Sequence, residues 1–147
     1  MKRVPHAIRK YLSIALLFVL FTALFGCSVK RNDLIPDKEI SRIKVQIYPF
    51  GETYTFTDHT SVNKIAKYFS GLNLTSGFDE DPLVGNGKIW VVDFYFSDDT
   101  MVKIFHSQTV YVKTKDSKWF KTSYEEGMEF ERLINEIKEN GVAADLP

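Results

Sequence analysis

The stretch IWVVDFYF-SDDT-MVKIFH, residues 89–106, decides the fold. Its first eight residues are apolar at nearly every position on both alternating faces, which is typical of a strand in the middle of a sheet. The polar residues 97–100 form a turn signal, and Val102 and Ile104 then alternate with other residues in a second strand. The sequence therefore predicts an antiparallel hairpin with residues 89–96 at the centre of a sheet.

Shorter alternating segments extend the sheet on both sides of this hairpin. Residues 43–48 and 54–56 predict a first hairpin, closed by a turn that contains proline and glycine. Residues 109–113 and 119–122 predict two more strands, separated by a short polar turn. The sequence thus predicts about six strands in one antiparallel sheet, and the last four follow one another as a meander.

Two segments have the apolar spacing of amphipathic helices. The first spans residues 60–70, with Asp58 and Thr60 as candidate N-caps. The second follows Ser123 and Glu126, which match a capping box. Gly127 is expected to weaken the first turn of this helix. The predicted order is ββ-α-ββββ-α, an α+β fold in which two helices pack on one face of the antiparallel sheet.

The N-terminus has the layout of an export signal. Four basic residues within the first ten precede an uncharged, apolar run over residues 11–26. The run ends in Leu24-Phe25-Gly26-Cys27, and Cys27 is the only cysteine of the chain. This tetrapeptide resembles the lipobox of bacterial lipoproteins. The overall layout also resembles small uncharacterised lipoproteins of Gram-positive bacteria.

The resemblance implies a domain organisation and a location. Residues 1–26 would be a cleaved signal peptide, 27–38 a lipidated cysteine with its tether, 39–141 a single α+β domain and 142–147 a tail. A diacylglyceryl group on Cys27 would hold the protein on the extracytoplasmic face of the cell membrane. Two alternatives stay open. The apolar run could remain as an uncleaved anchor, although 16 residues span only about 24 Å as a helix, and Cys27 could be a free thiol.

Composition limits the classes of partner. With the four signal cations removed, 15 basic residues face 19 acidic residues, a net charge of −4. This mild acidic surplus argues against nucleic-acid binding, which needs a basic footprint. It also predicts no polybasic patch for anionic lipids. Because Cys27 has no second cysteine to pair with, the exported domain is expected to fold by packing alone.

A long loop predicted over residues 73–87 is the candidate binding segment. It contains the acidic cluster Asp79-Glu80-Asp81 and, in a Gly-Asn-Gly turn, Asn86. The carboxylates could bind Ca²⁺, but the alternation of ligands and the glycine of a calcium loop are missing, so a solvated acidic loop is the competing interpretation. Asn86 leads into a strand, whereas a phosphate cradle opens a helix.

Asp93 is the one acidic residue inside the apolar central strand. The simplest expectation is a position at the edge of the sheet or on its solvent side. If the carboxylate were buried instead, it would need a partner, because an isolated buried charge is costly. Lys103 and Lys44, on the neighbouring predicted strands, are the candidates for that partner.

Few residues suggest catalysis. Asp93 could form a carboxylate pair with Glu52 or Asp58, as in a hydrolase, if the fold placed the carboxyl groups about 5–9 Å apart. His106 could act in such an enzyme as well. His106 and His59 lie in unrelated elements and lack the spacing of metal ligands, so structural or surface roles are the competing interpretation.

These observations favour a membrane-anchored binding module without catalysis, cofactor or metal. Its partner would be a protein, a peptide or another envelope component, and its predicted binding surface is the 73–87 loop with the nearer face of the sheet. Two alternatives are an envelope hydrolase that uses carboxylates or His106, and a structural or inhibitory envelope module.

Overall fold

The computed structural model describes residues 34–78 and 87–143. Its strands are β1 (Ile40–Tyr48), β2 (Glu52–Phe56), β3 (Thr75–Phe78), β4 (Ile89–Phe96), β5 (Met101–Ser107), β6 (Tyr111–Thr114), β7 (Trp119–Lys121) and β8 (Val142–Ala143). Its helices are α1 (His59–Gly71) and α2 (Tyr124–Ile137), and a 3₁₀ turn, Lys138–Asn140, follows α2. Within these two ranges, no helix combines the length and apolarity that crossing a membrane requires.

The strands form one sheet with the order β3-β7-β6-β5-β4-β1-β2-β8. The predicted α+β fold with an antiparallel sheet is confirmed, and all six predicted strands are present. β4 lies in the interior between β1 and β5, as its apolar residues on both faces predict. Two short strands extend the edges. β3 forms inside the predicted 73–87 loop and pairs with β7, and β8 forms at the start of the predicted tail and pairs with β2.

Both helices pack on the same face of the sheet and begin at the predicted caps. The Asp58 carboxylate accepts a hydrogen bond from the Ser61 backbone N–H at 2.8 Å, and Ser123 with Glu126 forms the capping box of α2. One apolar core joins the two layers. It contains strand residues Ile43, Val45, Trp90, Val92, Phe94, Ile104, Val112 and Phe120, and helix residues Ile65, Phe69, Phe130, Ile134 and Ile137.

The domain begins earlier than the sequence suggested. Leu34, which the sequence analysis assigns to the tether, is only 4% exposed and belongs to the core. Nearby, Lys38 Nζ lies 2.7 Å from Asp98 Oδ2 in the turn between β4 and β5. Residues 34–38 therefore pack on the domain, and the chain enters it at the end of the sheet where β4 turns into β5.

Gly127 lies where α2 passes a strained hairpin. The turn between β5 and β6 holds Gln108 and Thr109 at φ of 48° and 70°, in the left-handed region that non-glycine residues rarely adopt. A Cβ on Gly127 would lie only 1.5 Å from the Thr109 carbonyl oxygen. The glycine therefore has a packing role that the sequence did not reveal, since it allows the helix to approach this turn.

Candidate functional site

The sheet has one face under the helices and one face, called the open face below, on which neither helix packs. Cross-strand pairing places its residues in rows, such as Lys44–Asp93–Lys103 and Gln46–Val91–Phe105–Lys113. Its charged residues are Arg42, Lys44, Asp93, Lys103, Lys113 and Lys121, and its aromatic residues are Tyr48, Tyr95, Phe105, Tyr111 and Trp119.

Charge is segregated between the two sides of the domain. Across the described strands, the open face carries five basic residues and a single acidic one, Asp93. On the other side of the molecule, α2 carries five glutamates and one arginine. The expectation that a net acidic domain has no polybasic patch therefore fails for this face, because alternating strand positions collect the cations on one side.

Asp93 is the charged centre of the open face. It lies on an interior strand, so the expected edge position was wrong, and although it is on the side of the sheet away from the helices, it is only 4% exposed. Lys103 Nζ lies 2.7 Å from Asp93 Oδ1, across the β4–β5 register, and forms the partner that a buried carboxylate needs. The contact is an ion pair whose angles fall outside hydrogen-bond geometry. Lys44 flanks Asp93 on the opposite strand.

Several cations of the open face lie over aromatic rings. The Arg42 guanidinium is 4.2 Å from the centre of the Tyr95 ring. Lys113 Nζ is 4.7 Å from the Trp119 ring and 5.6 Å from the Phe105 ring. Such contacts hold the side chains against the sheet while leaving their positive charge uncompensated. The surface is therefore both positively charged and rich in flat apolar groups.

Lys44 and Lys121 contribute free charge to the same surface. In the described part of the chain, no acidic side chain forms an ion pair with either ammonium group. Lys44 is half-buried opposite Asp93, and Lys121 is exposed at the edge of the face, where it lines a groove with Glu125, Glu126 and Glu129. Together with Lys103, which is shared with Asp93, they make the open face a surface that attracts anions.

His106 is on the opposite, helix-covered face and is fully buried. Its Nε2 is 3.0 Å from the Tyr68 hydroxyl of α1, and its ring packs against Phe69 and Phe130. Burial lowers the pKa of His106 to about 4 and raises the pKa of Tyr68. The surroundings are those of a neutral histidine packed in the core.

The residues proposed for a carboxylate pair are separated in space. Asp93 faces the open side, whereas Glu52 pairs with Ile47 on the helix side and accepts a hydrogen bond from the Tyr54 hydroxyl at 2.9 Å. Asp58 caps α1. The two faces also separate Asp93 from His106, so these four groups do not share one site.

Glu126 forms the densest polar network in the described ranges. It accepts hydrogen bonds from Asn73 Nδ2 at 2.8 Å, from the Thr122 hydroxyl at 2.6 Å and from Ser123 Oγ at 2.9 Å. Burial opposes ionisation of this carboxyl group, but the hydrogen bonds outweigh it and lower its pKa to about 2. The network lines a wide groove of about 910 Å³ and ties the segment after α1 to the start of α2, which is a structural task.

Several predicted site residues lie outside the described residues, namely Cys27, Asp79, Glu80, Asp81 and Asn86. His59 is described and lies exposed on α1, next to Asn63. Over residues 34–78 and 87–143, no three His, Cys, Asp or Glu side chains are grouped as metal ligands would be.

The comparisons with known proteins bring no further residue to the site. No protein-family model, curated protein or solved structure matches this chain. Sequence reasoning named Lys44 and Lys103 only as partners of Asp93, and it missed that five cations share one face. Listing the outward positions of all predicted strands side by side would have found them, because the pattern is visible only across strands.

Proposed function

We propose that this protein is a lipid-anchored, extracytoplasmic binding module of the cell membrane, with no catalytic role, and that the open face is its binding surface. The anchor rests on the lipobox-like tetrapeptide that ends in Cys27. The binding role rests on one observation above the others: a sheet face on which neither described helix packs combines five cations with five aromatic rings and a single buried acid.

The alternative of a hydrolase has less support. Its candidate groups lie on different faces, and the buried His106 is packed among aromatic rings. A structural module would explain the packing, but it would not require cations to gather on one side of an acidic domain. Positive charge without an ion-pair partner, next to partly exposed aromatic rings, is typical of a binding surface.

Site-specific photo-crosslinking in intact cells tests the binding role. A photoreactive phenylalanine at Tyr95, on the open face, is compared with one at Tyr124, which is 65% exposed at the start of α2. Both replacements exchange one aromatic side chain for another. Mass analysis of the anchored protein should detect an adduct from position 95 and none from position 124. Adducts of equal yield at the two positions, or none at position 95, would refute the open face as the binding surface.

A Cys27→Ser variant tests the anchor in the same cells. Because a serine cannot accept the thioether-linked lipid, the variant should lack the diacylglyceryl mass that the parent protein carries. A Ser28→Ala variant is the matched control and should keep that mass. A parent protein and a Cys27→Ser variant that differ only by the mass of the substitution would contradict the lipid anchor.

A further inference from the structure

We propose that the open face docks on anionic phospholipid headgroups of the same membrane that holds the Cys27 anchor. This inference rests on the proposed function, because it takes the anchor as given, and it names the ligand of the binding face. The domain would then lie face-down on the bilayer, with its acidic helix α2 turned away.

The charge distribution favours the face over the end of the sheet as the contact. Where the chain enters the domain, the segment before β1 and the two nearest turns contain five carboxylates, Asp37, Glu39, Asp98, Asp99 and Asp116, against three lysines. A domain standing on that end would press these carboxylates toward an anionic surface. On its open face, the same domain presents five cations against one acid that is already paired with Lys103.

The tether keeps the domain within reach of the lipid surface. Only residues 28–33 separate Cys27 from Leu34, which is already packed in the core. Six residues extend at most about 20 Å, less than the width of the domain. The segment carries Lys30 and Arg31 against Asp33, a net charge of +1. An anionic bilayer is therefore the polyanion that the open face meets at the highest local concentration.

Three cations of the open face also lie near the entry point. Residues 34–37 and residues 101–103 line one groove, of about 810 Å³, together with Lys115 and Asp116. The pairing register places Arg42, Lys44 and Lys103 in the two rows of the sheet next to that groove. The part of the open face nearest the entry point therefore holds three of its five cations.

The uncharged groups of these rows also suit a lipid interface. Tyr95 is half-buried under Arg42, and Met101, its partner across the register, is 46% exposed. Tyrosine rings are enriched at the headgroup level of membranes, where an apolar ring and a polar hydroxyl are both accommodated. An acidic protein partner would use the same cations, but the short tether gives no such partner a comparable local concentration.

Lysine labelling on vesicles tests this inference with the acylated protein as purified from membranes. The protein is incorporated into phosphatidylcholine vesicles or into vesicles in which phosphatidylglycerol replaces part of that lipid. A membrane-impermeant amine reagent is applied, and mass spectrometry measures labelling at each lysine. Docking should reduce labelling of Lys44 and Lys121 about threefold or more on the anionic vesicles, and high salt should restore it. Lys64 and Lys67, exposed on α1, are internal controls and should be labelled equally on both.

A matched pair of variants assigns the effect to the face. Arg42→Gln with Lys44→Gln should abolish the protection of Lys121, whereas Lys64→Gln with Lys67→Gln should preserve it. Lys103 is left in place, because its removal would leave Asp93 buried without a partner. Equal labelling of Lys44 and Lys121 on the two kinds of vesicle would overturn the proposal, as would protection that survives the face variant.

Two further measurements distinguish a lipid ligand from an acidic polypeptide, and docking of the face from lipid anchoring. Polyglutamate added to the protein on neutral vesicles tests an acidic polypeptide as the ligand. Protection equal to or greater than that produced by phosphatidylglycerol would overturn the lipid assignment, and weaker protection would support it. Co-flotation with neutral vesicles reports the anchor alone. Flotation without protection on anionic vesicles contradicts only this inference, whereas absence of flotation contradicts the proposed anchor as well.

Discussion

At the scale of single residues, the open face is built around Asp93, a carboxylate that the sheet buries and pairs. The sequence was sufficient to name its two candidate lysine partners, because they occupy neighbouring predicted strands. It was insufficient to predict the burial of Asp93, because burial depends on the pairing of β4 with strands that are distant in sequence, such as β1. The ion pair with the buried Asp93 carboxylate holds Lys103 in place, while the Lys44 ammonium group stays available to a ligand.

A double-mutant cycle measures this coupling. Lys103→Gln should lower the free energy of unfolding by about 1–3 kcal/mol, less than for a fully buried pair because Lys103 is partly exposed. Asp93→Asn combined with Lys103→Gln should recover part of that loss. The exposed pair Lys64–Glu136 is the control, with a coupling of about 0.2–1 kcal/mol. Urea denaturation gives all the values, and additive losses at Asp93 and Lys103 would contradict the account.

Gly127 provides a second prediction at this scale. Gly127→Ala places a Cβ against the Thr109 carbonyl oxygen and should cost about 2–4 kcal/mol of stability, because the helix must move away from the β5–β6 turn. Gly71→Ala, at the end of α1, meets no atom within 4 Å and should be neutral or stabilising by up to about 1 kcal/mol. Thermal denaturation compares the two alanines. If the two alanine variants change the stability by the same amount, contact with the Thr109 carbonyl oxygen contributes nothing. Helix propensity alone would then account for the effect of Gly127→Ala.

The buried His106 predicts a loss of stability in mild acid. Its pKa is about 4 in the folded state and about 6.5 in the unfolded chain. Below pH 6.5 the unfolded state therefore binds a proton that the folded state does not, and the free energy of unfolding falls by up to about 3 kcal/mol between pH 6.5 and pH 4. Urea denaturation over this range should give a flatter profile for His106→Gln. The exposed His59→Gln variant should keep the parent slope, and an unchanged slope in both would refute the prediction.

At the scale of elements, long segments with clear periodicity were predictable and short edge strands were not. The eight residues of β4 and the capping box of α2 determine their own structure through apolar alternation and local hydrogen bonds. β3 and β8 have four and two residues, too few to show a period. They form because β7 and β2 present unpaired backbone groups at the edges of the sheet.

Glu126 connects three parts of the fold. Replacing Glu126 should therefore lower the stability more than replacing its neighbour Glu125. Glu126→Ala removes the acceptor for Asn73, Thr122 and Ser123 and should cost about 2 kcal/mol, since it removes the capping box and a tertiary contact together. Glu125→Ala, in the same turn but exposed, should cost less than about 0.5 kcal/mol. Equal stabilities of the two variants in urea denaturation would show that the network contributes nothing to stability.

At the scale of the whole molecule, the distribution of charge matters more than its sum. The net charge of −4 suggested no basic patch, but it says nothing about which residues share a face. Pairing between strands that are distant in sequence, such as β1 with β4, brings the cations together. The candidate site was therefore the least predictable part of the protein, because it depends on the register of five strands at once.

The proposed anchor would place this charged surface at the membrane, and intact-mass analysis of the membrane-extracted protein tests the anchor most directly. The account predicts a polypeptide that begins at Cys27 and carries the added mass of a diacylglyceryl group. A Cys27→Ser variant processed in parallel should lack that added mass. A native protein whose mass still includes residues 1–26, or one with an unmodified Cys27, would contradict the lipid anchor and the membrane docking that depends on it.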